Sequence, residues 1–141
     1  EAIRLKPDYA DAWHHRGAVY DNKGDHDQAI KDSSEAIRLK PGYADAWYNR
    51  GLAYARKDNY DQAIKDWSEA IRLKPDYADA WYNRGLAYGK LGNEAKAKAD
   101  FLKAEELKAK VNLALKQISE ARVRLDQTLS VWPQQVMWRP Q

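Results

Sequence analysis

The chain contains no cysteine. Disulfides and thiolate-bound metals are therefore excluded, and the absence fits a reducing compartment such as the cytoplasm without specifying it. No apolar run approaches the ~20 residues a helix needs to cross a bilayer, so no membrane partner is expected. No secretory signal is visible, and because the chain opens at Glu1 without Met, targeting is not legible. Proline and glycine are scarce, five and seven in 141 residues, and they fall at regular intervals. An excess of one charge is also missing from the body. Residues 1–92 carry 15 Lys/Arg against 15 Asp/Glu, and residues 93–141 carry nine against six, which accounts for the net +3. A nucleic-acid binder usually shows a basic stripe, so no nucleic-acid partner is expected. There is no Gly-rich phosphate loop, metalloprotease helix motif or nucleophile elbow. No enzyme activity, cofactor or metal is implied.

What the sequence has is repetition. The phrase ADAWYNRGLAY occurs at 44–54 and again at 78–88, with ADAWHHRGAVY at 10–20. Residues 10–43 match 44–77 at 23 of 34 places without a gap, and Trp13, Trp47 and Trp81 keep the 34-residue step. Such a period is the mark of a stacked repeat. Each unit reads as two helices. Ala46, Trp47, Gly51, Ala53 and Tyr54 recur at helical spacing, then a polar break, KDN, is followed by Ala63, Ile64, Trp67, Ala70, Ile71 and Leu73. Pro75 closes the second helix, since it lacks an amide hydrogen and clashes with the turn before it. Asp25 with Gln28, and Asn59 with Gln62, have capping-box form. Gly51 is expected at the crossing of the two helices, where it lets their backbones approach.

Trp47, Gly51, Tyr54, Ala63, Trp67, Ala70 and Pro75 stand at the spacing that the tetratricopeptide repeat requires. The sequence resembles that family over residues 10–109. The first unit departs at Ser33, where an aromatic is usual, and the third has Ala109 in place of proline. The resemblance implies an all-α fold: an α-solenoid of antiparallel helix-turn-helix repeats with a long C-terminal helix. The expected division is 1–9, the end of a truncated preceding repeat; 10–43, 44–77 and 78–110, three repeats; 111–131, a capping or extended helix; and 132–141, a non-helical tail, because of Pro133 and Pro140. The missing proline leaves two readings for the stretch after Asn93. It is either a repeat helix, a turn near 110–112 and a cap, or one helix of about 39 residues whose apolar stripe would need a partner chain. Residues 1–9 copy the end of a repeat, so the first unit is expected to expose apolar surface and self-associate.

Several residues invite a chemical reading. Arg16, Arg50 and Arg84 each precede Asp32, Asp66 and Asp100 by sixteen places, which suggests either bridges between paired helices or solvated charges. An exposed bridge would contribute only about 0–1 kcal/mol. His14 and His15 sit beside Asp11, but adjacent helical residues diverge and a closed metal site needs more ligands. His26, in place of Tyr60, reads as a packing substitution. The repeat Trp and Tyr residues read as core.

The resemblance also implies a concave groove lined by the first helix of each repeat. Its candidate peptide-contacting residues are Asp11, His14 and His15 from the first unit; Tyr48, Asn49, Leu52 and Arg56 from the second; and Asp79, Tyr82, Asn83, Leu86 and Lys90 from the third. Asn49 and Asn83 each carry a donor and an acceptor, the pair that a peptide backbone offers. Co-chaperone members of the family clamp a terminal carboxylate with two Lys, one Arg and two Asn. The matching places here are His14, Ala18, Asn49, Asp79 and Asn83, and only Asn49 fits. The expected function is a protein-protein interaction module that binds an extended peptide or protein segment in the groove without a carboxylate clamp. The alternative is a structural unit that self-assembles into dimers or filaments through open solenoid ends and the C-terminal helix. A protein or peptide ligand and a homo-oligomer are the partners implied.

Overall fold

Three turns of one design join the two helices of each pair. The computed structural model describes residues 9–136, with side chains through Val131. The helices are α1 (Ala10–Asn22), α2 (His26–Leu39), α3 (Ala44–Arg56), α4 (Tyr60–Leu73), α5 (Ala78–Lys90) and α6 (Glu94–Val136), with no strand among the described residues. The first eight residues, and with them nearly all of the expected truncated repeat, lie outside this range.

The turns after α1, α3 and α5 pass through left-handed backbone at Gly24, Asp58 and Gly92, with φ of +87°, +57° and +77°. At each, the next amide returns to the last helical turn: Asp25 to the Tyr20 carbonyl at 3.0 Å, Asn59 to Tyr54 at 3.0 Å and Asn93 to Tyr88 at 2.8 Å. This is the hydrogen-bond pattern of a left-handed helix C-terminus, and it leaves fewer carbonyls orphaned. The same residues then start the following helix. Their side chains accept from the Gln28, Gln62 and Lys96 amides at 3.1, 3.2 and 3.2 Å. The expected capping box is one-sided, because the Gln28 and Gln62 side chains turn instead to Asp32 (2.9 Å) and Asp66 (3.3 Å).

Helices α2 and α4 end at Leu39 and Leu73, two residues before Pro41 and Pro75. The carbonyls of these prolines accept from Trp47 Nε1 at 2.9 Å and Trp81 Nε1 at 3.0 Å. Trp47 and Trp81 are thus tied to the end of the unit before each. Where proline is replaced by Ala109, the helix continues: α6 is one helix of 43 residues. It also passes through Pro133, contrary to the expected non-helical tail from 132. Pro133 falls in the last turn, where its missing amide forfeits one bond at a helix end and no interior helical turn follows it. Residues 137–141 of the expected tail lie outside the described range. One compact unit ends at Glu105 and a second begins at Glu106, so the first twelve residues of α6 complete the third repeat.

Within the first unit the core is built from small residues and one buried aromatic, Trp67. Ala36, Ala46, Ala53, Ala63, Ala70 and Ala80 are fully buried, and Trp67 is 2% exposed. A Cβ on Gly51 would lie 2.7 Å from Trp67 Nε1, so the expected close crossing is there and glycine is required. Burying an indole of 150–250 Å² stabilises by about 4–6 kcal/mol. Ser33 occupies the same place in the first repeat, buried and with no partner for its hydroxyl, and supplies none of that.

The recurring Arg–Asp pairs are bridges, and they are not exposed ones. Asp32, Asp66 and Asp100 are 0%, 1% and 4% exposed. Arg16 meets Asp32 through two nitrogens at 2.6 and 2.7 Å; Arg50 meets Asp66, and Arg84 meets Asp100, through two at 2.8 Å each. Each guanidinium also lies over the Trp three residues before it, 4.8–4.9 Å from the ring centre. From the second repeat onward, the remaining Nη1 donates to the preceding repeat: Arg50 to Ser34 and Arg84 to Ser68, both at 3.0 Å. One side chain therefore joins three helices. The periodic Ser34 and Ser68 were the signal for this contact, and it is visible only once the pairs are placed.

Candidate groove on the first helices

The candidate groove residues lie on α1, α3 and α5, the first helices of the three repeats, and all are at least partly exposed. Five of them converge. Leu52 and Arg56 from α3, and Asn83, Leu86 and Lys90 from α5, line one open pocket of about 220 Å³. Its exposed lining is mostly apolar, and Trp67 and Ala55 share it with the two cations Arg56 and Lys90. Helical spacing produces this: 52 and 56 are one turn apart, as are 86 and 90, so each helix presents a Leu and a cation on one side.

The other candidates are spent differently. The Tyr48 ring stacks on Tyr77 at 4.8 Å, and its hydroxyl receives the Asn83 amide at 2.8 Å. Burial pushes the Tyr48 phenol up, and Asp79 adds to this. Asn83 has therefore already used an amide hydrogen inside the protein, so the two-asparagine ladder is not uniform. Asn49 makes no side-chain hydrogen bond among the described residues, because His14 stands where Tyr48 would be. His14 packs on Tyr43 (4.8 Å) and His15 (5.2 Å), and its Nδ1 is buried without a partner. Burial, then the neighbouring His15, holds its imidazole below the ordinary range, while Asp45 and Asp11 oppose the shift. Tyr82 is 44% exposed and tilts against Phe101 at 5.4 Å, and Asp79 is exposed.

Two acidic residues of this face lie near the phenol that closes their own repeat, Asp11 near Tyr43 and Asp45 near Tyr77. Burial first, and these carboxylates second, push both phenols well above their usual range.

One cluster escaped the sequence reading. Asp21, 7% exposed, joins His26 Nδ1 at 2.7 Å and the Arg56 guanidinium of the next repeat. His26 is therefore no mere packing substitute for Tyr60: it is one arm of a polar contact. None of the three residues recurs at its 34-residue place in the other units, so the period gave no signal. Among the described residues, no group of three or more His, Asp or Glu side chains could hold a metal ion, and no helix is long and apolar enough to cross a membrane.

Paired antiparallel helices in a fixed 34-residue register, locked by Trp, Gly and a buried Arg–Asp bridge, define a helical-repeat scaffold. Comparison with protein families agrees. TPR repeat matches at 22–58 and 56–92, and Tetratricopeptide repeat at 78–111 and 1–31. The chain belongs to the tetratricopeptide-repeat family. Among solved structures it is similar to MamA, with TM-score 0.75 and 32% identity over 78% of this chain. It spans 64% of that MamA chain. It is also similar to the second TPR of Spaghetti (RPAP3) bound to the HSP90 peptide SRMEEVD, with TM-score 0.68 and 32% identity, covering 70% of this chain and 91% of that one. A MamA RS-1 double mutant, at 23% identity and TM-score 0.72 over 77% of this chain and 61% of that one, shares the fold. A search of curated proteins gave no match.

Proposed function

We propose that the face formed by α1, α3 and α5 receives an extended peptide or protein segment, and that it does so without clamping a terminal carboxylate. The carrying observation is the convergence of Leu52, Arg56, Asn83, Leu86 and Lys90 on one pocket; Asn49, with its amide uncommitted, stands on the same helix as Leu52 and Arg56. The peptide-bound neighbour supports a peptide as the ligand class. A clamp is disfavoured because exposed Asp79 sets a negative charge where a Lys would grip a carboxylate, and because Asn83 already donates to Tyr48. The role is that of a non-enzymatic scaffold. In titrations of the full chain, SRMEEVD is expected not to bind at submillimolar concentration, whereas peptides selected from a random library are. Submillimolar SRMEEVD binding would refute the clamp-free mode. Selected peptides that bind Asn49→Ala and Tyr82→Ala variants undiminished would refute the groove.

A second reading has its own observation. Val111, Leu115, Ile118, Leu125 and Leu129 of α6 form a helical stripe, each 57–65% exposed. A stripe of this sort favours self-association of the second unit. Stacking through the end of the third repeat is disfavoured, since Glu94, Lys98 and Glu105 replace Tyr60, Ile64 and Ile71 there, and all three are exposed. Sedimentation of the full chain against Ile118→Glu and Leu125→Glu decides: self-association that the variants abolish supports the stripe, and a concentration-independent monomer contradicts it.

A further inference from the structure

The two junctions between repeats use the same places with opposite chemistry. At the first, Asp21 ties His26 to Arg56. Thirty-four residues on, the places of Asp21, His26 and Arg56 are taken by Ala55, Tyr60 and Lys90, and the place of Ala18 by Leu52. The substitutions remove the carboxylate and enlarge the apolar wall. The cation remains, and Lys90 is exposed and makes no ion pair among the described residues. The result is a pocket lined by a leucine from each helix, Leu52 and Leu86, and by Lys90, whose ammonium has no ion pair among the described residues. At the first junction the protein provides its own carboxylate for that cation. At the second it leaves the place open.

We infer that this pocket selects a peptide carrying a large aliphatic side chain next to an aspartate or glutamate, the ligand's carboxylate meeting Lys90 as Asp21 meets Arg56. The inference rests on the peptide-groove reading and names its ligand. The aliphatic group fits because the walls offer little to a polar one, and burial of apolar area supplies non-directional affinity. The acidic neighbour fits by charge complementarity. A mispaired basic residue would face Lys90 and Arg56 together, and such like-charge contact discriminates strongly. Arg56 is already compensated by Asp21, so Lys90 carries the selection.

The experiment is selection of a random twelve-residue peptide library on the immobilised full chain, followed by affinity measurement on variants. The enriched peptides are expected to share Leu or Ile adjacent to Asp or Glu. Ala55→Asp installs the missing carboxylate and is expected to weaken those peptides at least tenfold while leaving thermal stability unchanged or higher. Lys90→Glu should switch the enriched neighbour from acidic to basic. Enriched peptides without the acidic-aliphatic pair, or binding Ala55→Asp and Lys90→Glu as well as the parent, would overturn the inference. If those peptides still lose affinity on Asn49→Ala or Tyr82→Ala, the groove survives and only its assigned ligand falls. Failure to enrich any peptide would overturn both.

Discussion

Removing the Asp66 carboxylate should cost more than any surface change in the chain. Asp66 is 1% exposed and accepts from Arg50 Nε and Nη2 at 2.8 Å and from Gln62 at 3.3 Å. The guanidinium is itself largely enclosed, its side chain 15% exposed, between the carboxylate, the Trp47 ring and Ser34. Asp66→Ala leaves that cation without its anion, and breaking a buried pair in this way costs about 3–5 kcal/mol. Ser34→Ala removes one charge-assisted bond between repeats and should cost about 1.5 kcal/mol. The double change Arg50→Met with Asp66→Leu replaces the pair by apolar volume and should lie within about 1 kcal/mol of the parent, because desolvation offsets most of the Coulomb attraction. The assay is urea denaturation followed by tryptophan fluorescence and by far-ultraviolet circular dichroism. The two probes are needed because repeat arrays do not always unfold in one step. The reasoning is refuted if Asp66→Ala sits within about 0.5 kcal/mol of the parent, the range of ordinary surface substitutions, or if the double variant is as damaged as the single one.

Other expectations follow from the same geometry. Burial holds His14 below its unfolded value of about 6.5, so the stability it contributes is present above that pH and is lost as pH falls through the lower folded value. The urea midpoint should therefore drop more between pH 7.5 and 5 in the parent than in His14→Tyr; equal drops would contradict this. Gly51→Ala puts a Cβ 2.7 Å from the buried Trp67 indole. Overpacking of about 1–3 kcal/mol should exceed the gain in helix propensity of up to about 1 kcal/mol, and a raised melting temperature would refute the close crossing. Asp58 holds left-handed backbone where Gly24 and Gly92 stand in the sister turns. Asp58→Gly should stabilise by up to about 1 kcal/mol despite losing the Tyr60 hydroxyl contact at 2.9 Å; a fall in the midpoint would count against it.

The scaffold was legible because its parts recur. Trp13, Trp47 and Trp81, the glycines four residues later and the prolines at 41 and 75 repeat a packing rule, and a rule written three times stands out from composition. Arg50 and Asp66 were legible as a pair for the same reason, though their burial was not: periodicity shows which residues go together, and solvent exposure depends on what covers them. Asp21, His26 and Arg56 were illegible as a set because each departs from the repeat. A departure marks a difference without saying what it touches. The fate of Asn83 was hidden too, since its partner Tyr48 lies on another repeat and the contact depends on the angle between first helices. Continuity of α6 was one of the two readings left open by the loss of proline at 109. Its passage through Pro133 did not, because the penalty of proline depends on how much helix lies beyond it.

The central claim is that recognition occurs on the first helices. Backbone amide chemical shifts of the isotope-labelled full chain, followed during titration with a library-selected peptide, test it most directly. The account predicts shifts concentrated at residues 48–56 of α3 and 82–90 of α5, lining the pocket of Leu52, Leu86 and Lys90. Shifts concentrated on α2 and α4, or along 111–131 of α6, with the first helices unmoved, would contradict it.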